Sequence, residues 1–411
     1  MIDQSLGPNY SRVVNVLIFI FPIVIISLQV AGDIVLFILA MMGIYIAISK
    51  KLSPFIIKEI QLFSYLTIGY FTAVCLSVLF SGQATELAHY IPRDFYFLFA
   101  PFIALALYKA EINLNYLLTG IKFALLILGI IILMENNFFI QAYISRYCGV
   151  MNCGVFGNLA VVLFFIVLIF FQHEPSKHKV FTLLSLLSGL FIIIVSGTRG
   201  AWLTALLLLG VNLYFIYRRK IGISSKIIVT VIIAIMISLA GTNQFVKDRG
   251  YSAYIGVSKW MFEDDALTST GLRLNMYRAA IDNVKDVPFF GHGYRTSNVV
   301  LFQNDSSRAS KEIVNFNHLH NAYLTNYYNG GVVLLGALLL LLFVPLKIFI
   351  RANSQNRENP VFTSGVFLTL GYVSFGMVNI LLGDTYMNGF YVFFLAIFLL
   401  LTNKSKTVIE A

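Results

Sequence analysis

The chain has 411 residues, 58% of them hydrophobic and 12% charged, with a mean hydropathy of +0.82. Soluble domains carry roughly 25% charged residues. An ordinary soluble protein is therefore excluded, and most of the chain must satisfy its backbone polar groups in lipid, as helices or a closed barrel. The net charge of +10 and pI near 9.3 do not call for nucleic acid, because cytoplasmic loops of membrane proteins collect Lys and Arg.

The apolar runs are about 17–22 residues long rather than alternating ten-residue segments, which selects helices. The fold class predicted is an all-α polytopic membrane protein. About twelve transmembrane helices are expected, near 13–31, 34–49, 61–80, 94–109, 116–134, 155–172, 180–197, 201–217, 227–241, 329–350, 361–382 and 388–402. The first run is full length and lacks a small-residue cleavage site, so no cleavable signal peptide is expected. Lys50, Lys51, Lys109, Lys177, Lys179, Arg218, Arg351 and Lys404 fall in loops of one side, whereas the short loops opposite hold only Arg93, Arg146 and Arg199. Positive charge marks the cytoplasmic side, so both termini are expected in the cytoplasm of a multi-pass protein.

Residues 242–328 contain no run long enough to span, and the alternation places them outside the cytoplasm. The expected division is helices 1–9 in 1–241, a periplasmic loop domain in 242–328, and helices 10–12 with a cytoplasmic tail in 329–411. A structureless loop of this length is unusual, so helices are expected within it. Leu272–Val284 reads as amphipathic, with Leu274, Tyr277, Ile281 and Val284 on one face. Cys75 sits in an apolar run as a packing residue. Cys148 and Cys153 share a short loop and are either disulfide-bonded or free; no His or carboxylate lies between them to complete a metal site.

Three residues stand out for chemistry. Arg199, in Ser196-Gly-Thr-Arg-Gly-Ala-Trp202, lies in a hairpin between two apolar runs. An arginine held there is expensive unless paired or functional, although interfacial snorkelling is the plainer alternative. Arg273, in Ser269-Thr-Gly-Leu-Arg273, starts the amphipathic helix, where backbone N–H groups and a planar bidentate donor make an anion site. Taken alone, it reads first as a solvated loop charge. His320 fits a neutral general base or a hydrogen-bonded structural histidine. His318 lies two residues before it, without the HxxxH or HExxH spacing of a metal pair. Trp202 also reads as an ordinary aromatic-belt residue, and Gly291-His-Gly293 as a weak phosphate loop.

Together these pieces resemble the bacterial O-antigen ligase family, within the wider group of O-antigen ligases and polymerases. The resemblance rests on order: the Gly-Thr-Arg-Gly-Ala-Trp hairpin, a long outer loop with Ser-Thr-Gly-Leu-Arg273, Pro288-Phe-Phe-Gly-His-Gly293, then His320-Asn321 and, after nine residues, Gly331. One departure is Leu334, where the family carries a small residue or tyrosine. The resemblance implies a GT-C-like fold in the bacterial inner membrane with its active site facing the periplasm. The implied donor is O-antigen polysaccharide on undecaprenyl diphosphate, and the implied acceptor is lipid A–core. It assigns His320, Arg199 and Arg273 to catalysis. Asn321, His318, Trp202, Gly291 and Gly293 become substrate-binding candidates, with no metal and no cofactor. The rivals are an O-antigen polymerase, a protein O-oligosaccharyltransferase using the same donor, and a transporter or flippase. Repeated halves and ionisable groups at the midplane, the marks of a transporter, are not evident.

Overall fold

The computed structural model describes residues 5–83, 87–135, 146–218, 244–356 and 359–409. Its elements in chain order begin with α1 (Pro8–Ser27), α2 (Gln29–Ser49), α3 (Lys58–Phe80), the one-turn α4 (Leu87–Tyr90), α5 (Phe95–Tyr108) and α6 (Leu114–Glu135). Then come α7 (Cys153–Phe170), α8 (Lys179–Val195) and α9 (Arg199–Arg218). The outer segment holds α10 (Gln244–Phe262), α11 (Ser269–Asp282), α12 (Ser297–Phe302) and α13 (Arg308–Val314). The chain closes with α14 (Ala322–Gln355), α15 (Pro360–Gly376) and α16 (Thr385–Ile409).

Ten helices among the described residues are long and apolar enough to cross a membrane, and Pro360–Gly376 is a shorter apolar helix. Every expected span thus has its helix except 227–241, which lies outside the described residues. Among those residues there is no strand.

The bundle is organised around α7, whose spanning window is entirely buried. It packs against α6, α8, α9 and α15. Polar side chains inside the bundle are tied up locally, as a lipid-facing chain requires. Ser64, Thr67, Ser185 and Thr369 each donate to a carbonyl one turn back. Lys122, inside α6, is paired with Glu174 at 2.6 Å. The outer helices form their own small core, in which Leu272, Met276 and Ala280 of α11 meet Phe302, Ile313, Leu319 and Tyr328.

Two boundaries differ from expectation, and both differences shape the site. The eleventh span ends six residues earlier than predicted, because α15 ends at Gly376 and residues 377–384 are not helical. The run Met377–Leu382 is apolar enough to look like helix, yet it lines cavities, the setting in which irregular backbone is tolerated. The Met377 carbonyl accepts from Asn321 Nδ2 at 3.3 Å. The tenth helix starts at Ala322 rather than 329 and breaks at Gly330–Gly331. The face of α11 also differs: Ile281 is 61% exposed, while Met276 and Ala280 are fully buried. Side-chain size pointed to Ile281, whereas a small residue lets Tyr328 reach the Ala280 carbonyl at 2.8 Å.

Gly331 explains the break in α14. Its φ of 59° and ψ of −155° lie in a region essentially reserved for glycine, and a Cβ there would run into the Phe289 carbonyl. Gly291 in turn approaches the Asn329–Gly330 backbone, while His292 N–H and Gly293 N–H donate to the Tyr328 and Asn329 carbonyls. Gly331→Ala is expected to destabilise the fold by at least about 1–3 kcal/mol, lowering the thermal midpoint of purified protein in detergent. An unchanged midpoint would show that the turn relaxes freely.

Candidate active site

The first turns of three helices converge at one end of the bundle around a cavity of about 640 Å³. Each is built from local sequence. Asn152 caps α7 by accepting from Gly154 N–H at 2.8 Å. Thr268 caps α11 by accepting from Gly271 N–H at 2.9 Å. The left-handed Gly197, at φ +58°, turns the chain from α8 into α9, and Thr198 anchors that turn by donating to the Cys153 carbonyl at 2.7 Å. Asn152, Cys153 and Gly154, then Thr198, Arg199 and Gly200, then Thr268, Ser269 and Thr270 all line the cavity. Helix N-termini carry partial positive charge and unpaired N–H groups, so this end of the bundle favours an anion.

Arginines add to that field. Arg199 and Arg273, far apart in sequence, line the same cavity as His320, and Arg146 and Arg249 join them. Among the described residues no Asp or Glu lines it. Among the described residues none of the four arginines is in a salt bridge. Arg146 Nε donates to the Ser196 carbonyl at 3.0 Å. Arg249 donates to the Gly197 carbonyl through Nε at 3.0 Å and Nη2 at 2.7 Å. These two therefore clamp the carbonyls of the hairpin that presents Arg199. Burial lowers the pKa of Arg146, and the like charges of Arg249, Arg199 and Arg273 lower it further. Arg273 is lowered mainly by burial, with Arg249 adding to the effect. Guanidinium nevertheless stays cationic at physiological pH, so the cavity holds uncompensated positive charge.

His320 faces this field from a strained position, with φ +51°. Its carbonyl accepts from Tyr277 Oη at 2.8 Å. The next residue, Asn321, caps α14 by accepting from Tyr323 and Leu324 N–H, both at 3.0 Å. Asn298 pins the preceding loop by donating to the carbonyls of Ile313, Phe316 and His318. The backbone that carries the imidazole is thus held from several sides. Its pKa is pushed down to about 3 by burial, then by His318 and Arg273, while a hydrogen bond with Asn379 pulls the other way. Its Nδ1 is buried without a hydrogen-bond partner among the described residues, and so is Oδ1 of Asn158, which also lines the cavity. Both are acceptors suited to a hydroxyl.

The remaining expected residues sit elsewhere. Asn321 works as the helix cap described above. His318 lies against His320, ring centroids 4.3 Å apart, but faces a different cavity. Trp202 points into the bundle and donates from Nε1 to the Ile193 carbonyl at 2.9 Å. Gly291 and Gly293 are not among the residues lining the large cavity; they shape the turn against α14. Cys148 and Cys153 form a disulfide, which ties the Arg146 loop to the first turn of α7.

Arg146, Arg249 and Asn158 are the additions that the structure makes. Arg249 sits in Lys247-Asp248-Arg249, which reads as a solvated helix face. Asn158 did carry a signal, a single carboxamide within an otherwise apolar span. Arg249→Ala should free the Gly197 carbonyl and lower turnover about tenfold, as loss of a charged hydrogen bond does. Initial rates would show it, and wild-type rates would make the clamp dispensable. Among the described residues no three His, Cys, Asp or Glu side chains cluster as metal ligands.

Residues 181–341 match the family model described as O-Antigen ligase, a stretch that contains Arg199, Arg249, Arg273 and His320. A protein of Haemophilus influenzae, described as uncharacterized, is 27% identical over 362 residues, covering 84% of this chain and 87% of the relative.

Proposed function

We propose that this chain belongs to the O-antigen ligase family and transfers an O-antigen polysaccharide from undecaprenyl diphosphate to a sugar hydroxyl of lipid A–core, at the periplasmic face of the inner membrane. The observation that carries the reading is a cavity holding four arginines and three helix N-termini and, among the described residues, no carboxylate, beside an unprotonated, partly buried histidine. A diphosphate suits such a field, because planar guanidinium groups and helix N-termini both bind phosphate oxygens.

In this reading Arg199 and Arg273 clamp the diphosphate, with Arg146 and Arg249 adding charge at the rim. The acceptor oxygen attacks the anomeric carbon of the donor's first sugar, forming the new glycosidic bond. The bond from that carbon to the phosphate oxygen breaks, and its electron pair leaves on undecaprenyl diphosphate. His320 takes the hydroxyl proton. The leaving group gathers negative charge as the bond stretches, so fixed cations stabilise the transition state more than the ground state. Charge neutralisation is thus assigned to arginines and helix dipoles, without a metal ion.

Purified protein tests this directly. With lipid-linked O-antigen and lipid A–core in EDTA, the glycan should move onto lipid A–core. Growth of the lipid-linked glycan in the absence of lipid A–core would favour the polymerase reading instead. Activity lost in EDTA and restored by a divalent cation would overturn metal independence.

A further inference from the structure

A second cavity, of about 170 Å³, adjoins the histidine pair. His320 lines the large cavity and His318 the small one. The non-helical segment after α15 runs between them in the same way. Val378 and Asn379 face the large cavity, whereas Ile380, Leu382 and Asp384 face the small one. The histidine pair and the segment after α15 therefore contribute to both spaces.

The small cavity is built, not incidental. Its polar groups are Arg93, Tyr294, Arg295, His318, Asn329 and Asp384, chiefly, and Ile380 and Leu382 give it an apolar side. Arg295 is placed by a left-handed backbone, at φ +61°, just after the turn at Gly293. Tyr294 Oη donates to Asp94 at 3.3 Å. Asn388 donates to the Arg93 carbonyl at 2.8 Å and accepts from Gly383 N–H at 3.0 Å. These bonds hold the segments that carry Arg93, Arg295 and Asp384 in one frame.

Asn329 is the informative residue. It is 5% exposed and lines the cavity, yet its Oδ1 has no hydrogen-bond partner among the described residues. Nε2 of His318 is in the same position. Buried polar atoms are almost always paired, so these acceptors call for a ligand that brings donors. Asp384 adds a carboxylate acceptor, and the two arginines add donors. A mixed rim of donors and acceptors with one apolar side matches a sugar ring, which presents hydroxyls at its edge and C–H groups on its face. The large cavity differs in charge, with four arginines and, among the described residues, no carboxylate.

We propose that the small cavity is the acceptor subsite, holding the sugar of the acceptor glycan whose hydroxyl is glycosylated. Hydroxyls of that ring donate to Asp384 and Asn329 and accept from Arg93 and Arg295. The reacting hydroxyl points past His318 toward His320 and the diphosphate. The inference rests on the ligase reading above.

Two measurements separate them. The first is saturation-transfer NMR with delipidated core oligosaccharide on the full-length protein in detergent. Wild type and Arg199→Ala should bind, while Asn329→Leu and the milder Asp384→Asn should lose binding about tenfold. The second is steady-state transfer, in which Asp384→Asn should raise KM for the acceptor about tenfold and leave KM for the lipid-linked donor within about twofold. Unchanged oligosaccharide binding in both variants, no binding by wild type, or a rise in donor KM instead would overturn the acceptor assignment. Wild type that binds the oligosaccharide yet transfers nothing would leave the subsite standing and sink the ligase reading.

Discussion

Arg273→Ala is expected to lower transfer by about 10²–10³-fold, the range seen when a preorganised transition-state donor is removed, while the protein becomes no less stable. The first half follows from position. Arg273 sits four residues into α11, half-buried, next to the helix N-terminus that lines the cavity. Its guanidinium can grip two phosphate oxygens at once. Arg273→Lys keeps the charge and loses the fork, so it should recover only part of the rate. The second half follows from the neighbours. Arg249 and Arg146 repel Arg273, and among the described residues no carboxylate in the cavity offsets them. Removing one of four like charges relieves that repulsion in the free protein. Arg199→Ala should behave the same way. The check pairs initial rates with the thermal midpoint at low salt, where screening is weakest. An inactive Arg273→Ala with a markedly lower midpoint would mean that Arg273 acts in folding, and a variant with normal transfer would remove it from the clamp.

The same cluster shows what can be read from sequence and what cannot. The spans were legible because a lipid-facing helix needs about 20 apolar residues whatever it packs against. Arg199 and Arg273 were legible because each sits at a helix start in a distinctive turn. Arg249 was not, since its role depends on reaching the Gly197 carbonyl, about fifty residues away along the chain. The break at Gly376 was missed because Met377–Leu382 is as apolar as a spanning helix. Only the tertiary partners of its backbone, such as Asn321 and Tyr277, reveal that it lines a cavity. The small cavity was hidden for the same reason, as Arg93, Arg295, His318 and Asp384 come from four separate segments. The pairing of Cys148 with Cys153 was one of two open alternatives, and geometry decides between them.

His320→Ala should lose about 10²–10⁴-fold in kcat, the usual contribution of a general base, whereas His318→Ala should stay within about tenfold of wild type. The two rings touch, so chemical type cannot separate them; the cavity each one faces does. Their pKa values give a second handle. Burial, then His318 and Arg273, hold His320 down at about 3, and burial with Arg273 holds His318 at about 4. Both are therefore neutral in the free enzyme at pH 5–8, and kcat/KM should show no acid limb near 6.5 from either. A bound diphosphate brings negative charge against His320 and stabilises its imidazolium, so the acid limb of kcat should lie at higher pH than that of kcat/KM. Stability follows the same protons. Below pH 6.5 the unfolded chain protonates these histidines and the folded one does not, so the unfolded state binds more protons and stability rises with pH. The contribution is fully present above pH 6.5 and is lost as pH falls from there toward about 3. His320→Ala should flatten the fall in thermal midpoint between pH 7 and pH 5. Loss of activity in His318→Ala with His320→Ala nearly intact would move the base to His318 and the acceptor chemistry with it.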